Sequence, residues 1–187
     1  FSLPGDNFID HLVKLNAVKN ELNIDLYVLL MSGNDIFLNR QSPYWSNYYS
    51  EVVDSCSSEE KPIYDQTYTS DEEYSALLSK AWQNASNRCV ADRLFSQLPT
   101  NSVVLLSDHY SRNKSWYDPY FEFFENHNVS HIDPARTFQI QSLKDIDKLY
   151  VSSLDGHPSA LAHKIYAELI TNYISTSNIL DIKWQYQ

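Results

Sequence analysis

The stretch from Leu26 to Asp35, LYVLLMSGND, decides how the chain is expected to fold. Its first six residues, Leu26–Met31, are all hydrophobic, as in parallel strands that helices cover on both faces. The polar residues after them lie at the carboxyl end of that strand, where ligands bind in open α/β sheets. The stretch therefore predicts a buried parallel strand followed by a candidate site at Gly33, Asn34 and Asp35. A plain turn is the common alternative.

Helices and strands alternate outward from this strand. Apolar residues at helical spacing predict one helix over residues 7–22 and a long one over 71–98. Later patterns predict a strand at 103–107, a helix that opens at Asp118-Pro119, a strand at 130–133 and a final helix after Pro158. This alternation predicts an α/β fold with a doubly wound parallel sheet. The length of the chain suggests one domain over residues 1–187. Residues 40–70, polar and aromatic, are expected to form an insertion or a long loop, with one short helix.

Charge and hydropathy exclude several classes of partner. The net charge is −10 and no basic stripe is present, so we expect no binding to nucleic acid or to anionic membrane surfaces. No apolar run is long enough to cross a bilayer, so we expect no transmembrane segment. The first residues lack the pattern of a leader, which either has been removed or never existed.

Cysteine and histidine give little further guidance. Cys56 and Cys89 could pair with each other or both be free, and two cysteines do not fix a compartment. A secreted or periplasmic location is slightly favoured, and a cytoplasmic one stays open. His109, His127 and His131 lack metal-ligand spacing, so no metal is expected.

Glycine is scarce, and its positions are informative. An average chain of this length would hold roughly 13 glycines, whereas this one has 3: Gly5, Gly33 and Gly156. Glycine is hardest to replace where the backbone turns tightly or lies close to a ligand. Each of the three therefore marks a stretch that could carry chemistry.

The third of these stretches is Asp155-Gly156-His157-Pro158-Ser159. Proline is well suited to the first position of a helix, so Pro158 is predicted to open the final helix, with Leu161, Ile165 and Leu169 in one apolar row. The sequence thus predicts an acid and an imidazole in the loop that leads into a buried helix, an arrangement that can present a base and its orienting carboxylate. An ordinary N-cap followed by a solvated histidine is the alternative.

Taken together, the three stretches resemble the conserved blocks of the SGNH (GDSL-like) hydrolase superfamily. Leu30–Asp35 resembles the Gly-x-Asn-Asp block, here with Gly33 directly before Asn34. Leu3–Asn7 is similar to the block whose glycine donates a backbone N–H to the oxyanion. Asp155–Ser159 resembles the final block, although the family usually spaces the two residues as Asp-x-x-His. Three blocks in the family's order, each with one of only three glycines, make a fairly specific match.

The resemblance implies a role for each residue. Asp155 and His157 would be catalytic, Gly5 and Asn34 would form the oxyanion hole, and Gly33 and Asp35 are candidates for the substrate pocket. The implied fold is a three-layer α/β/α, flavodoxin-like arrangement.

The family's Gly-Asp-Ser block, which carries the nucleophilic serine at the end of a central first strand, is absent from this sequence. Without that strand, Leu26–Met31 would lack a neighbour on one side and would expose unpaired backbone groups. We therefore expect the first strand and its serine to come from outside this sequence, either from an N-terminal segment or from a second chain.

The implied function is a serine-type ester hydrolase that works through an acyl-enzyme. Its substrate would be a small-molecule, glycan or lipid ester, and no cofactor is implied. One alternative is a catalytically inactive SGNH-fold subunit that acts as a scaffold or binding module. Another is a carbohydrate-binding module built on the Tyr- and Trp-rich insertion. The residues encoded upstream of Phe1 would discriminate the enzyme from the inactive subunit.

Overall fold

The computed structural model describes residues 7–38, 46–57, 60–64, 69–107, 117–134, 147–152 and 155–177. The fold is mixed α/β, as predicted. In chain order its elements are α1 (Phe8–Lys19), β1 (Tyr27–Met31), α2 (Ser46–Cys56), α3 (Asp71–Gln83), α4 (Ala85–Gln97), β2 (Ser102–Leu106), α5 (Asp118–His127), β3 (His131–Ile132), β4 (Tyr150–Ser152), β5 (Asp155–Pro158) and α6 (Ala160–Thr176).

The chain divides into two compact units. The helical unit contains α1 to α5 together with the segment that follows β1. The sheet unit contains the five strands and α6. The prediction of one domain over residues 1–187 stays a prediction.

The predicted parallel sheet is confirmed in the sheet unit. Its order is β1-β2-β3, with Tyr27 opposite Ser102, Met31 opposite Leu106 and Val104 opposite His131. β2 is buried along its whole length, as expected for a central parallel strand. Alternate residues of β2 pack with β3 and α6 in one apolar cluster, made by Val103, Leu105, Ile132, Leu149, Ala162 and Tyr166.

β1 is less buried than its sequence predicts. Only Met31 is fully buried, and the side chain of Leu30 is 38% exposed. The Tyr27 N–H donates to Asn101 O (3.0 Å), and Met31 O accepts from the Ser107 N–H (2.8 Å). Because alternate peptide groups of a strand point in opposite directions, those of Val28 and Leu30 face away from β2. Within the described residues no strand pairs with β1 on that side.

The helical unit is built around aromatic side chains. Phe8 of α1 meets Trp82, Phe95 and Tyr120 edge to face, at centroid distances of 5.7–6.0 Å. Offset and edge-to-face pairs of this kind stabilise a core beyond the area they bury. The predicted first helix is confirmed, although it ends at Lys19 rather than at residue 22.

The prediction of one long helix over residues 71–98 is wrong. The chain forms α3 and α4 instead, and Asn84 separates them with an extended backbone. The Asn84 side chain accepts from the Asn87 N–H (3.0 Å) and donates to Lys61 O (2.9 Å). Apolar periodicity continues through the break, so the pattern alone gives no sign of this cap.

The prediction of a loop at Asp155–Pro158 is also wrong. These residues form β5, which pairs antiparallel with β4. Pro158 lies at the end of the strand rather than in the helix. Ser159 is the N-cap, because its hydroxyl accepts from the Ala162 N–H (3.3 Å). In the described residues β5 pairs only with β4, and proline, which lacks an N–H, is tolerated in such edge strands. Pro158 can therefore belong to β5 rather than to the helix.

The final helix is less buried than predicted. Leu161 is 44% exposed, and the buried side of α6 is marked by Ala162 and Tyr166 instead. No helix in the described ranges is long and apolar enough to cross a membrane.

Cys56 and Cys89, which the sequence leaves open, form a disulfide in the structure, with their Cα atoms 5.6 Å apart. The bond ties α2 to α4 within the helical unit. Beside it, the Ser86 hydroxyl donates to Cys56 O (2.9 Å). A covalent link across 33 positions restricts the unfolded chain and thereby stabilises the folded one.

We predict that replacing both cysteines, Cys56→Ser with Cys89→Ser, lowers the free energy of unfolding by about 2–4 kcal/mol. Urea denaturation followed by circular dichroism measures this loss. Reducing the wild-type protein with dithiothreitol should produce a similar shift, and the double variant should not respond to the reductant. Equal midpoints for oxidised wild type and double variant would contradict the prediction.

Candidate functional site

The predicted Gly-Asn-Asp stretch forms a tight turn in the helical unit. The Phe37 N–H donates to Asn34 O (3.0 Å), which closes the turn over residues 34–37. Gly33 and Asp35 are buried, whereas Asn34 between them is exposed. The turn therefore presents one amide side chain at the surface and keeps its two neighbours inside.

The amide of Gly33 has a partner far along the chain. Its N–H donates to the Tyr117 hydroxyl at 3.0 Å. Tyr117 precedes α5 and is fully buried, and its ring stacks on Tyr120 with centroids 5.8 Å apart. A buried N–H needs an acceptor, and here a side chain supplies it.

Asp35 connects the turn to α1 in two ways. Its backbone carbonyl accepts from the Phe8 N–H (3.1 Å). Its carboxylate Oδ2 lies 3.3 Å from His11 Nε2, and both side chains are at most 10% exposed. The Asp35 carboxylate thus contacts His11 inside the helical unit. The role of Asp35 as a pocket residue stays a prediction.

Buried Asn87 of α4 makes a third connection to the turn. Its Nδ2 donates to Ile36 O and to Ile63 O, both at 2.8 Å, and its Oδ1 accepts from the Ile63 N–H at 2.8 Å. The side chain is therefore saturated with backbone partners, and it joins the turn to the segment that precedes α3.

The N-terminus of α1 is closed by its own cap. The Asn7 side chain accepts from the N–H groups of Ile9 and Asp10, and the Asp10 carboxylate accepts from the Asn7 N–H (3.1 Å). With Phe8 bonded to the turn, the first amides of the helix all have acceptors. Gly5 lies outside the described residues, so its oxyanion role stays a prediction.

Asp155 and His157 lie together on β5 in the sheet unit. They are two positions apart on this strand. The His157 side chain is exposed. The hairpin is anchored at its base, where the Ser159 N–H donates to Leu149 O (2.8 Å) and the Ser159 hydroxyl donates to Lys148 O (2.7 Å).

Nothing in the sequence directly marks Tyr117 or His11 as a residue that contacts the turn. Their partners are 84 and 24 positions away in the chain, so no local pattern reports these contacts. The only signal is indirect: Tyr117 stands directly before the Asp118-Pro119 helix start. In the described part of the chain, no group of three or more His, Cys, Asp or Glu side chains could hold a metal ion.

Comparison with known proteins finds no match, whether among family models, curated proteins or solved structures. The resemblance to SGNH hydrolases therefore depends on the three sequence blocks.

We predict that Asp35→Ala lowers the free energy of unfolding by about 1–3 kcal/mol, because it removes the partner of the His11 side chain, which is only 10% exposed. Asp92→Ala is the matched control. Asp92 is 59% exposed and lies 2.7 Å from His127, so its loss should cost under about 1 kcal/mol. Urea titrations of both variants make the comparison. Equal losses would show that burial of the Asp35–His11 pair does not contribute to stability.

Proposed function

We propose that the chain is an SGNH-type serine ester hydrolase that acts through an acyl-enzyme. The observation that carries the proposal is the turn after β1, which exposes the Asn34 amide while burying Gly33 and Asp35. An oxyanion donor needs this combination, because the amide must reach substrate and the backbone beneath it must stay fixed. Asp155 and His157 both lie on β5, just before α6, and in the proposal they are the orienting carboxylate and the base.

The proposal includes a doubly wound three-layer fold whose first strand, with the nucleophilic serine, comes from outside this sequence. The outward-facing peptide groups of Val28 and Leu30 support it, because they could form a ladder with one more parallel strand. The partly exposed Leu30 side chain would gain cover at the same time. An N-terminal segment and a second chain could both supply such a strand.

In the proposed reaction, the serine oxygen forms a bond to the ester carbonyl carbon while His157 takes the proton of the serine hydroxyl. Asp155 orients the imidazole and stabilises its charged form. The Gly5 N–H and the Asn34 side-chain amide donate to the oxyanion. When the carbon–oxygen bond to the alcohol breaks, His157 returns the proton to the leaving alcohol. Water then hydrolyses the acyl-enzyme by the same route. The substrate class is a small-molecule, glycan or lipid ester, and no cofactor takes part.

We predict that Asn34→Ala lowers kcat for ester hydrolysis by about 10²–10³, with little change in KM, because it removes one oxyanion donor. Initial rates on p-nitrophenyl esters, measured on the chain with its native upstream segment, test this. Asn47→Ala is the control, since Asn47 is an exposed asparagine on α2 of the same unit. Near-full activity in Asn34→Ala would contradict the role of this residue.

We also predict that a fluorophosphonate probe labels one serine, either in the native upstream segment of the chain or in the second chain that supplies the strand. His157→Gln should reduce the labelling rate by about 10³ or more, because the serine loses its base. Gel fluorescence and mass spectrometry of the labelled peptide read out the result. A folded protein that takes no label would instead support the inactive SGNH-fold subunit.

A further inference from the structure

We infer that Tyr117 is a positioning residue for Asn34: through its hydrogen bond to Gly33, it fixes the turn that presents the Asn34 amide. The inference rests on the proposed function of Asn34 as an oxyanion donor. It assigns a role in that site to a residue 83 positions further along the chain, which no sequence block indicates.

The Tyr117 hydroxyl is held by the core of the helical unit. The residue is fully buried, and its ring stacks on Tyr120. Tyr120 in turn packs against Phe8 and Trp82, with centroids 5.7 and 4.8 Å away. Movement of the hydroxyl would therefore require repacking of several rings, and close-packed interiors resist such changes.

The Tyr117 hydroxyl binds the backbone at the residue before Asn34. Its partner is the N–H of Gly33, at 3.0 Å, and the Gly33 peptide precedes Asn34 in the chain. On the other side, Asn34 O accepts from the Phe37 N–H, and Asp35 O accepts from the Phe8 N–H. The backbone of Asn34 is thus held before and after the residue.

This arrangement would matter more for the transition state than for substrate binding. A donor that is already in place when the oxyanion forms costs no reorganisation at that moment. Small misplacements are expensive, because a shift of about 1 Å can reduce a rate by about 10². Loss of the Tyr117 hydroxyl should therefore lower kcat and leave KM nearly unchanged.

A double-mutant cycle tests the inference on the chain with its native upstream segment. Tyr117→Phe keeps the ring and removes the hydroxyl, and we expect kcat to fall about tenfold with KM within about twofold. In the Asn34→Ala background, the same substitution should reduce kcat by less than about twofold, since the group it positions is gone. Tyr48→Phe is the matched control, because it removes a hydroxyl that accepts from Asn16 Nδ2 (2.8 Å) elsewhere in the unit, and it should leave kcat unchanged.

Amide hydrogen exchange gives a readout that does not depend on activity. In Tyr117→Phe the Gly33 amide should exchange about five- to tenfold faster than in wild type, because it loses its acceptor. Tyr48→Phe should leave that amide unaffected. Unchanged exchange at Gly33 in Tyr117→Phe would overturn the inference.

The remaining outcomes separate this inference from the proposed function. If the wild type is active and Tyr117→Phe lowers kcat equally in the wild-type and Asn34→Ala backgrounds, the positioning role alone is overturned. The same holds if Tyr48→Phe lowers kcat as much as Tyr117→Phe does. A wild type that hydrolyses no ester in the presence of the segment or second chain that supplies the serine, or Asn34→Ala at full activity, overturns the proposed function and the inference with it. If Tyr117→Phe lowers kcat when Asn34 is present and not when it is replaced by Ala, both the inference and the proposed function are supported.

Discussion

The buried peptide groups of residues 33–37 are the constraint on which the helical unit depends. These residues belong to no helix or sheet ladder, so each polar group has to find its own partner. The partners come from three helical regions: Tyr117 before α5, the Phe8 N–H of α1 and the Asn87 side chain of α4. Each group left unpaired would cost about 1–3 kcal/mol. The turn and the helices around it therefore stabilise one another.

Hydrophobic patterning predicts the elements of this fold well, because burial along a strand or helix is written in consecutive residues. β1, β2 and β3 appear where hydrophobic runs predict them, and their parallel pairing follows from the helices between them. The errors occur where side-chain hydrogen bonds override the pattern. Asn84 breaks a helix whose apolar spacing is continuous, and Ser159 starts α6 in place of the proline before it.

The candidate site is less accessible to sequence reasoning than the fold. Gly33, Asn34 and Asp35 are identifiable because they follow a hydrophobic strand and resemble a known block. The residues that hold them are not, since Tyr117 and His11 are joined to the turn only by the tertiary structure. Sequence position alone also gives no sign that Asn34 is exposed and Asp35 buried. That difference arises from the packing of α1 against the turn.

The cap at Asn84 has a consequence for production of the protein in a secretory host. Asn84-Ala85-Ser86 is an N-glycosylation sequon, yet the Asn84 side chain is buried and its amide nitrogen donates to Lys61 O. A glycan attached there during synthesis would displace that bond and the junction between α3 and α4. Asn128-Val129-Ser130 is a second sequon, and its exposed asparagine ends α5 in a left-handed conformation. Of these two acceptors, the folded protein can carry sugar only at Asn128.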